Sequence, residues 1–308
     1  MLAGRLAPYG YTPSLAAGIV FLVAFALMTS VQTVYLVRSR VWWLVVLILG
    51  GLCEIVGWVG RTRSALNVYS LNAFLIQQVC LVLAPCFYSA TCYGLLGMVI
   101  KSVGRQYSLI SPNVYLWTFC SADLVAIILQ AVGGAMSASS LEGSGDSQLG
   151  SHIMLAGIVF QLAAMLVFAG LAVDVFLRLR KNRSVMSTPH AQAGKLKPLG
   201  WGIALATAAI IIRGGYRTAE LSQGWGGYLL RQEAAFCVLD AAVMVCCQAV
   251  FCFVWPANPS AKKSQLSEES VATPTSYQSS LRPEKLAGQD SLDKVQTDRS
   301  GKPLVETV

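Results

Sequence analysis

The chain has 308 residues, 55% of them hydrophobic and only 12% charged, against about 25% charged in an ordinary soluble protein. A net charge of +8 invites comparison with nucleic-acid binders, but the excess is positional. Up to residue 256 there are 16 Lys and Arg against 8 Asp and Glu, and the tail beyond holds seven of each. The bases fall mainly between apolar runs, which argues against a nucleic-acid partner and for a membrane topology signal.

Taken in order, the first apolar run, about 14–37, is too long for the core of a cleavable signal and is followed rather than preceded by Arg38 and Arg40, so it reads as a first transmembrane helix. A second span covers about 41–60 and opens on the interfacial pair Trp42-Trp43. The charge-free stretch from Ser64 to Ile100 exceeds the roughly 20 residues a bilayer needs. Its first part is assigned to a surface turn and 71–99 to a third helix, with a kink expected at Pro85. A fourth span (114–136), a Ser- and Gly-rich loop (Ser137 to Gly150) and a fifth span (151–177) follow. A basic connection then leads to a sixth span from Pro198, which is either short or carries Arg213 within the membrane. The seventh covers 233–255 and stops at Trp255-Pro256.

The predicted fold class is all-α: a polytopic bundle of seven transmembrane helices. It comprises an N-terminal extracellular segment (1–13), a membrane domain (14–256) and a disordered cytosolic tail (257–308) too poor in large apolar residues to bury a core. Orientation follows loop bases. With the N-terminus outside, ten fall in inner loops (Arg38, Arg40, Lys101, Arg105 and six after the fifth span), against Arg5, Arg61, Arg63, Arg217, Arg231 and, if counted, Arg213. This puts the sole sequon, Asn182-Arg183-Ser184, in the cytosol. Ser267, Ser270 and Thr273 in the tail are candidate kinase substrates. All nine Cys lie inside apolar runs and read as small hydrophobes, and the two His form no ligand spacing, so no metal or other cofactor is expected.

Polar pairs seven residues apart mark four of the spans: Glu54 and Arg61, Asp123 and Gln130, Arg213 and Glu220, Glu233 and Asp240. Seven residues is about two helical turns, so both members share a face. A charge at mid-bilayer costs roughly 2.5–3.5 kcal/mol even on lenient scales. At about 1.5 Å per residue, Glu54 lies ~20 Å along its span and Asp240 ~10 Å below Glu233. The antiparallel helices thus bring these groups, with Arg217, into one outer half of the bilayer. The expectation is a polar chamber there, with Gln77, Gln78 and Gln161 adding neutral hydrogen bonds. Its carboxylates outnumber its bases, which would favour a cationic head group or a proton. The alternative is that these groups only pair with one another and lock the bundle. Asp174 reads as a local partner of Arg178, and Gly57, Gly60 and Gly133-Gly134 as close-packing positions.

The same residues carry a resemblance. Tyr11-Thr12-Pro13-Ser14, "GLCEIVGWVGR" from Gly51 to Arg61, Gln78 with Leu83-Ala84-Pro85, Asp123 and Gln130 before Gly133-Gly134, "RGGYRTAELSQGWGG" from Arg213 to Gly227, and Glu233 with Asp240 follow in order. Together they resemble the fungal lipid-translocating exporter family, the aminocholesterol-resistance membrane proteins, over about residues 9–258. Many relatives have His in the first span where this chain has Ser30 or Val31, and Trp255 stands where a His usually precedes Pro256. The resemblance implies seven spans and roles in sphingoid-base or lipid movement, haem-precursor traffic and drug resistance. The expected location is the plasma membrane, with an internal membrane as the alternative. The substrate-binding set expected from stripe and resemblance together is Glu54, Arg61, Gln78, Asp123, Gln130, Arg213, Arg217, Glu220, Glu233 and Asp240.

Three functions compete. A transporter or exporter of amphipathic molecules would use the chamber for the head group and the lipid-facing surface for the chain. It would not hydrolyse ATP, because no Gly-rich phosphate loop is present. A seven-helix receptor or lipid sensor fits the topology but lacks Asp-Arg-Tyr after span three, Asn-Pro-x-x-Tyr in span seven and a span-seven Lys. A membrane zinc hydrolase would need more His than His152 and His190. The expectation is a non-enzyme whose partners are the bilayer and amphipathic small molecules.

Overall fold

The structure, a computed structural model, describes residues 13–67, 70–103, 111–141, 147–181, 193–224 and 227–255. The chain divides into two units after residue 258, and all described residues belong to the first. The expectations for the segment before Pro13, the sequon and the tail lie outside the described residues.

Seven helices are long and apolar enough to cross a membrane: α1 (Leu15–Ser39), α2 (Val45–Leu66, entered through a 3-10 turn at Trp42–Leu44), α3 (Leu71–Val103), α4 (Pro112–Leu141), α5 (Ser147–Lys181), α6 (Ala193–Ser222) and α7 (Glu233–Phe253). Among the described residues there is no strand. The protein is an integral, multi-pass membrane protein. Each helix packs on the next, α7 closes on α1, and α3 also reaches α6.

Hydrogen-bond chemistry sets the ends. Ser14 caps α1 by accepting from the Ala17 N–H, and Arg40 ends that helix in the left-handed region at φ 53° while donating its own N–H to Leu36. Packing sets the faces. The buried residues of α1 are Gly18, Phe25, Thr29, Gln32 and Leu36, spaced by seven, four, three and four, which is one stripe of a helix. Outside that stripe Val20 and Leu27 are 64% and 63% exposed. An apolar exterior around a core that holds Glu, Asp and Arg inverts the pattern of a water-soluble bundle and suits hydrocarbon as the surrounding solvent. The cores of α2 to α7 add an aromatic cluster, Tyr93, Phe119 and Phe168, with ring centroids 4.6–5.5 Å apart.

Several expected boundaries move. Helix α2 runs to Leu66, past its expected end near residue 60 and three residues into the expected surface turn. The expected loop from Ser137 to Gly150 is helical at both ends: α4 continues to Leu141 and α5 begins at Ser147. Its small residues are packing devices. A Cβ on Gly150 would stand 2.7 Å from the Ser137 backbone nitrogen, one on Gly157 2.9 Å from the Ala126 carbonyl, and one on Gly133 would collide with Met154. Gly57 and Gly60 do the same for α2 against α3, where a Cβ on Gly60 would meet the Ala73 carbonyl at 2.9 Å. Helix α3 runs unbroken through Pro85, and α6 carries Arg213 well inside its length. In α7 the segment Phe236–Ala242 is a π-helical turn, a local widening common at functional sites. All nine Cys are free thiols.

The α4–α5 contact gives a matched test. Gly133→Leu is expected to cost on the order of 1–3 kcal/mol by overpacking, whereas Gly134→Leu, next to it but with nothing within 4 Å of an added Cβ, should unfold close to wild type. Thermal unfolding in detergent reads both.

Candidate functional site

All eight members of the four seven-residue pairs lie on inward faces. Glu54 and Arg61 are 1% exposed, Arg213 3% and Asp240 2%, and the one partly open member, Glu233, sits at the rim. The spacing predicts shared faces within each helix, but the bonds run mostly between helices. Asp240 Oδ1 accepts from Arg213 Nε at 2.8 Å and from Arg217 Nε at 2.9 Å, and its Oδ2 accepts from Arg217 Nη2 at 3.3 Å. Arg217 also donates to Glu220 at 3.0 Å, whose other oxygen accepts from the Tyr216 hydroxyl. Arg61 donates to Glu233 Oε1 at 2.7 Å. That same oxygen accepts the Ser14 N–H at 2.8 Å, which places a carboxylate on the N-terminus of α1, where the helix dipole favours it. Phe236, on the π-helical turn, lies under both cations, 4.5 Å from the Arg61 guanidinium and 5.2 Å from that of Arg217.

A backbone group completes the anchor. Arg213 Nη2 donates to the Leu81 carbonyl at 2.6 Å. In an unbroken helix that carbonyl would accept from residue 85, but residue 85 is a proline and has no N–H. Pro85 therefore leaves a buried acceptor on α3, and an arginine from α6 fills it.

The remaining expected residues are placed as follows. Asp123 and Gln130 face α3 and α5: Asp123 Oδ2 accepts from the Tyr93 hydroxyl at 3.2 Å, and Gln130 donates to Gln161 at 3.0 Å. Gln161 in turn donates to the Cys86 thiol at 3.0 Å. The cluster also reaches Gln130 through a cleft of about 40 Å³ between α3, α4, α5 and α6, whose polar wall is Gln130, Gln161, Arg213 and Arg217 and whose apolar wall includes Pro85, Ile158, Leu162 and Met165. Gln78 is half-buried, while its neighbour Gln77 is packed inside. Asp174 pairs with Arg178 at 2.8 Å one turn away, as expected.

Two carboxyls are not spent on cations. Among the described residues Glu54 makes no ion pair and its Oε1 meets no donor at hydrogen-bond distance, although the Trp58 indole lies beside the carboxyl, which is within electrostatic range of Arg213, Arg217 and Asp240. The groups around it are Cys53 on its own helix, Tyr88 and Cys80 on α3, and Cys247 on α7. Asp123 Oδ1 is likewise without a partner.

One expectation needs correction. Arg61 and Arg217 do not count as outer bases, because both side chains are buried in ion pairs. Removing them sharpens the charge asymmetry on which the expected orientation rests. In α1 the inward polar residues are Thr29 and Gln32, whereas Ser30 and Val31 are exposed. Thr29 and Gln32 belong to a second layer that the sequence reading misses. Gln248 donates to Thr29 at 2.9 Å and to Gln32 Oε1 at 3.1 Å, and accepts from the Tyr88 hydroxyl at 3.2 Å. Amides interrupting long apolar runs are the signal that would find it. Trp255 donates to Ser39 at 3.0 Å, tying the end of α7 to the end of α1.

The family described as RTA1 like protein matches the chain over residues 47–263, and the chain belongs to that family. Three relatives are from Saccharomyces cerevisiae. The sphingoid long-chain base transporter RSB1 is 29% identical, with 76% of this chain and 69% of the relative covered. Protein RTA1 is 27% identical, over 80% and 84%. Protoporphyrin uptake protein 1 is 28% identical, over 77% and 88%. No solved structure matches.

Two stability tests follow. Asp240→Ala strands two buried guanidinium groups and should cost about 3–5 kcal/mol, whereas Asp174→Ala at the part-exposed pair should cost about 0.3–0.5 kcal/mol. Pro85→Ala would ordinarily relieve a helix by about 3 kcal/mol. Here the restored N–H competes with Arg213 for the Leu81 carbonyl, so the variant should gain far less than that, or lose stability, on denaturant unfolding in detergent.

Proposed function

We propose that this member of the RTA1-like family moves amphipathic molecules across or out of the bilayer, sphingoid bases first among them, using the polar cluster near the outer ends of α2, α6 and α7. The N-terminus is taken to be outside and the plasma membrane to be the site of action. The observation that carries this reading is the uncommitted Glu54 carboxyl inside an otherwise matched set of charges. A bundle needing only to lock itself would have no use for a buried carboxyl without a cation, which is costly to retain. The names of the relatives support the same reading: one transports sphingoid long-chain bases and another takes up protoporphyrin.

The ion pairs Arg61–Glu233, Arg213–Asp240 and Arg217–Glu220 then act as the frame. Glu54 and Asp123 are the groups free to meet an ammonium head, and Gln78 and Gln130 are neutral contacts beside them. The part-exposed apolar faces would carry the alkyl chain. We assign the protein no chemical step.

Reconstituted vesicles test the reading. Wild type should move a C18 sphingoid base faster than protein-free vesicles. Glu54→Gln should keep the wild-type unfolding midpoint and lose at least about tenfold in rate, the loss expected when a charged hydrogen bond to the head group disappears. Transport at the wild-type rate by Glu54→Gln would remove the assigned role of that carboxyl. Binding of the base without any movement would favour a lipid sensor.

A further inference from the structure

We infer that the cleft between α3, α4, α5 and α6 accepts the carboxylate of an acidic amphiphile, at a position separate from the carboxyls that would meet an amine. This rests on the transport reading above and extends its substrate class. The polar wall is made of two guanidinium groups and two amides, with no carboxylate among the lining residues. The acids that neutralise those cations hold them by other edges, Asp240 from α7 and Glu220 from the next turn of α6. A head group entering the cleft therefore meets donors, and an ammonium would meet two like charges.

Two donors are available. Arg213 spends Nε on Asp240 and Nη2 on the Leu81 carbonyl, and its Nη1 makes no hydrogen bond among the described residues. Gln161 is held in place by Gln130 but gives its own N–H to the Cys86 sulfur, a weak acceptor that an oxygen would readily replace. The size fits. A cavity of about 40 Å³ holds roughly three waters, enough for the three heavy atoms of a carboxylate and too little for the body attached to it. Gly214 on α6 keeps the space open, since a Cβ there would stand 3.0 Å from Leu162 Cδ1.

The same head-group chemistry occurs on a flexible chain and on a rigid ring, so both are probed. Equilibrium dissociation constants for palmitate, protoporphyrin IX and a C18 sphingoid base are measured with the full chain in lipid nanodiscs, for wild type, Gln161→Leu and Gly214→Val. Wild type should bind at least one of the two carboxylates, and which one identifies the source. Each variant should weaken that binding about tenfold while changing sphingoid-base binding less than threefold. If either variant unfolds, Leu162→Phe, which narrows the cleft from its apolar wall, takes its place and is read in the same way. Failure of wild type to bind either carboxylate overturns the inference, as does equal weakening of carboxylate and amine. Neither result touches the transport reading, which stands or falls on movement of the sphingoid base in vesicles.

Discussion

One carboxylate holding two arginines inside hydrocarbon is the constraint on which the arrangement depends. Asp240 takes hydrogen bonds from both Arg213 and Arg217. Removing ions of this kind from water costs several kcal/mol each unless their partners and remaining lone pairs are satisfied. The requirement fixes the rotation of α6 and α7 about their own axes, because only one register brings all three groups together. It explains why α7 widens into a π-helical turn where Phe236 and Asp240 must both face the cations. It also draws α3 in, through a carbonyl that has no other donor. Arg61, Glu233 and the Ser14 N–H extend the same logic to α2 and α1.

Much of this was legible in the sequence because hydrocarbon punishes polar groups. Charges inside apolar runs had to face inward, so a spacing of seven was enough to pick the right faces of α2, α4, α6 and α7. Spacing within one helix does not say which helix answers it, and the partners Arg213–Asp240 and Arg61–Glu233 emerge only from the packing. Uncharged groups left a fainter trace. Gln248, Gln32, Thr29 and Tyr88 form a fully buried set, but an amide in an apolar run costs less than a charge and draws less notice. Composition misled where small residues were concerned. Ser137, Gly150 and their neighbours look like a loop by the habits of soluble proteins, but in a membrane such residues let two helices touch.

The interior is divided between charged groups that pair with one another and carboxyls that pair with no cation. The arginines and the acids opposite them form the first class, Glu54 and Asp123 the second. The cleft lies against the cationic side of the frame and is lined by donors, while Glu54 lies elsewhere in the cluster. A bundle organised in this way offers both signs of head group a neighbour of the opposite character without exposing a net charge to lipid.

The proline in α3 makes one of these contacts serve two purposes. The Arg213–Leu81 bond stands in for a rung that the helix itself cannot supply. If α6 slides or α3 bends at this level, a bare carbonyl and a loosened cation appear in the same stroke, and neither can stay dry. Bending at the middle of the bundle and wetting of its centre are therefore a single event, and the latch that governs both is a lone guanidinium reaching across from a neighbouring helix.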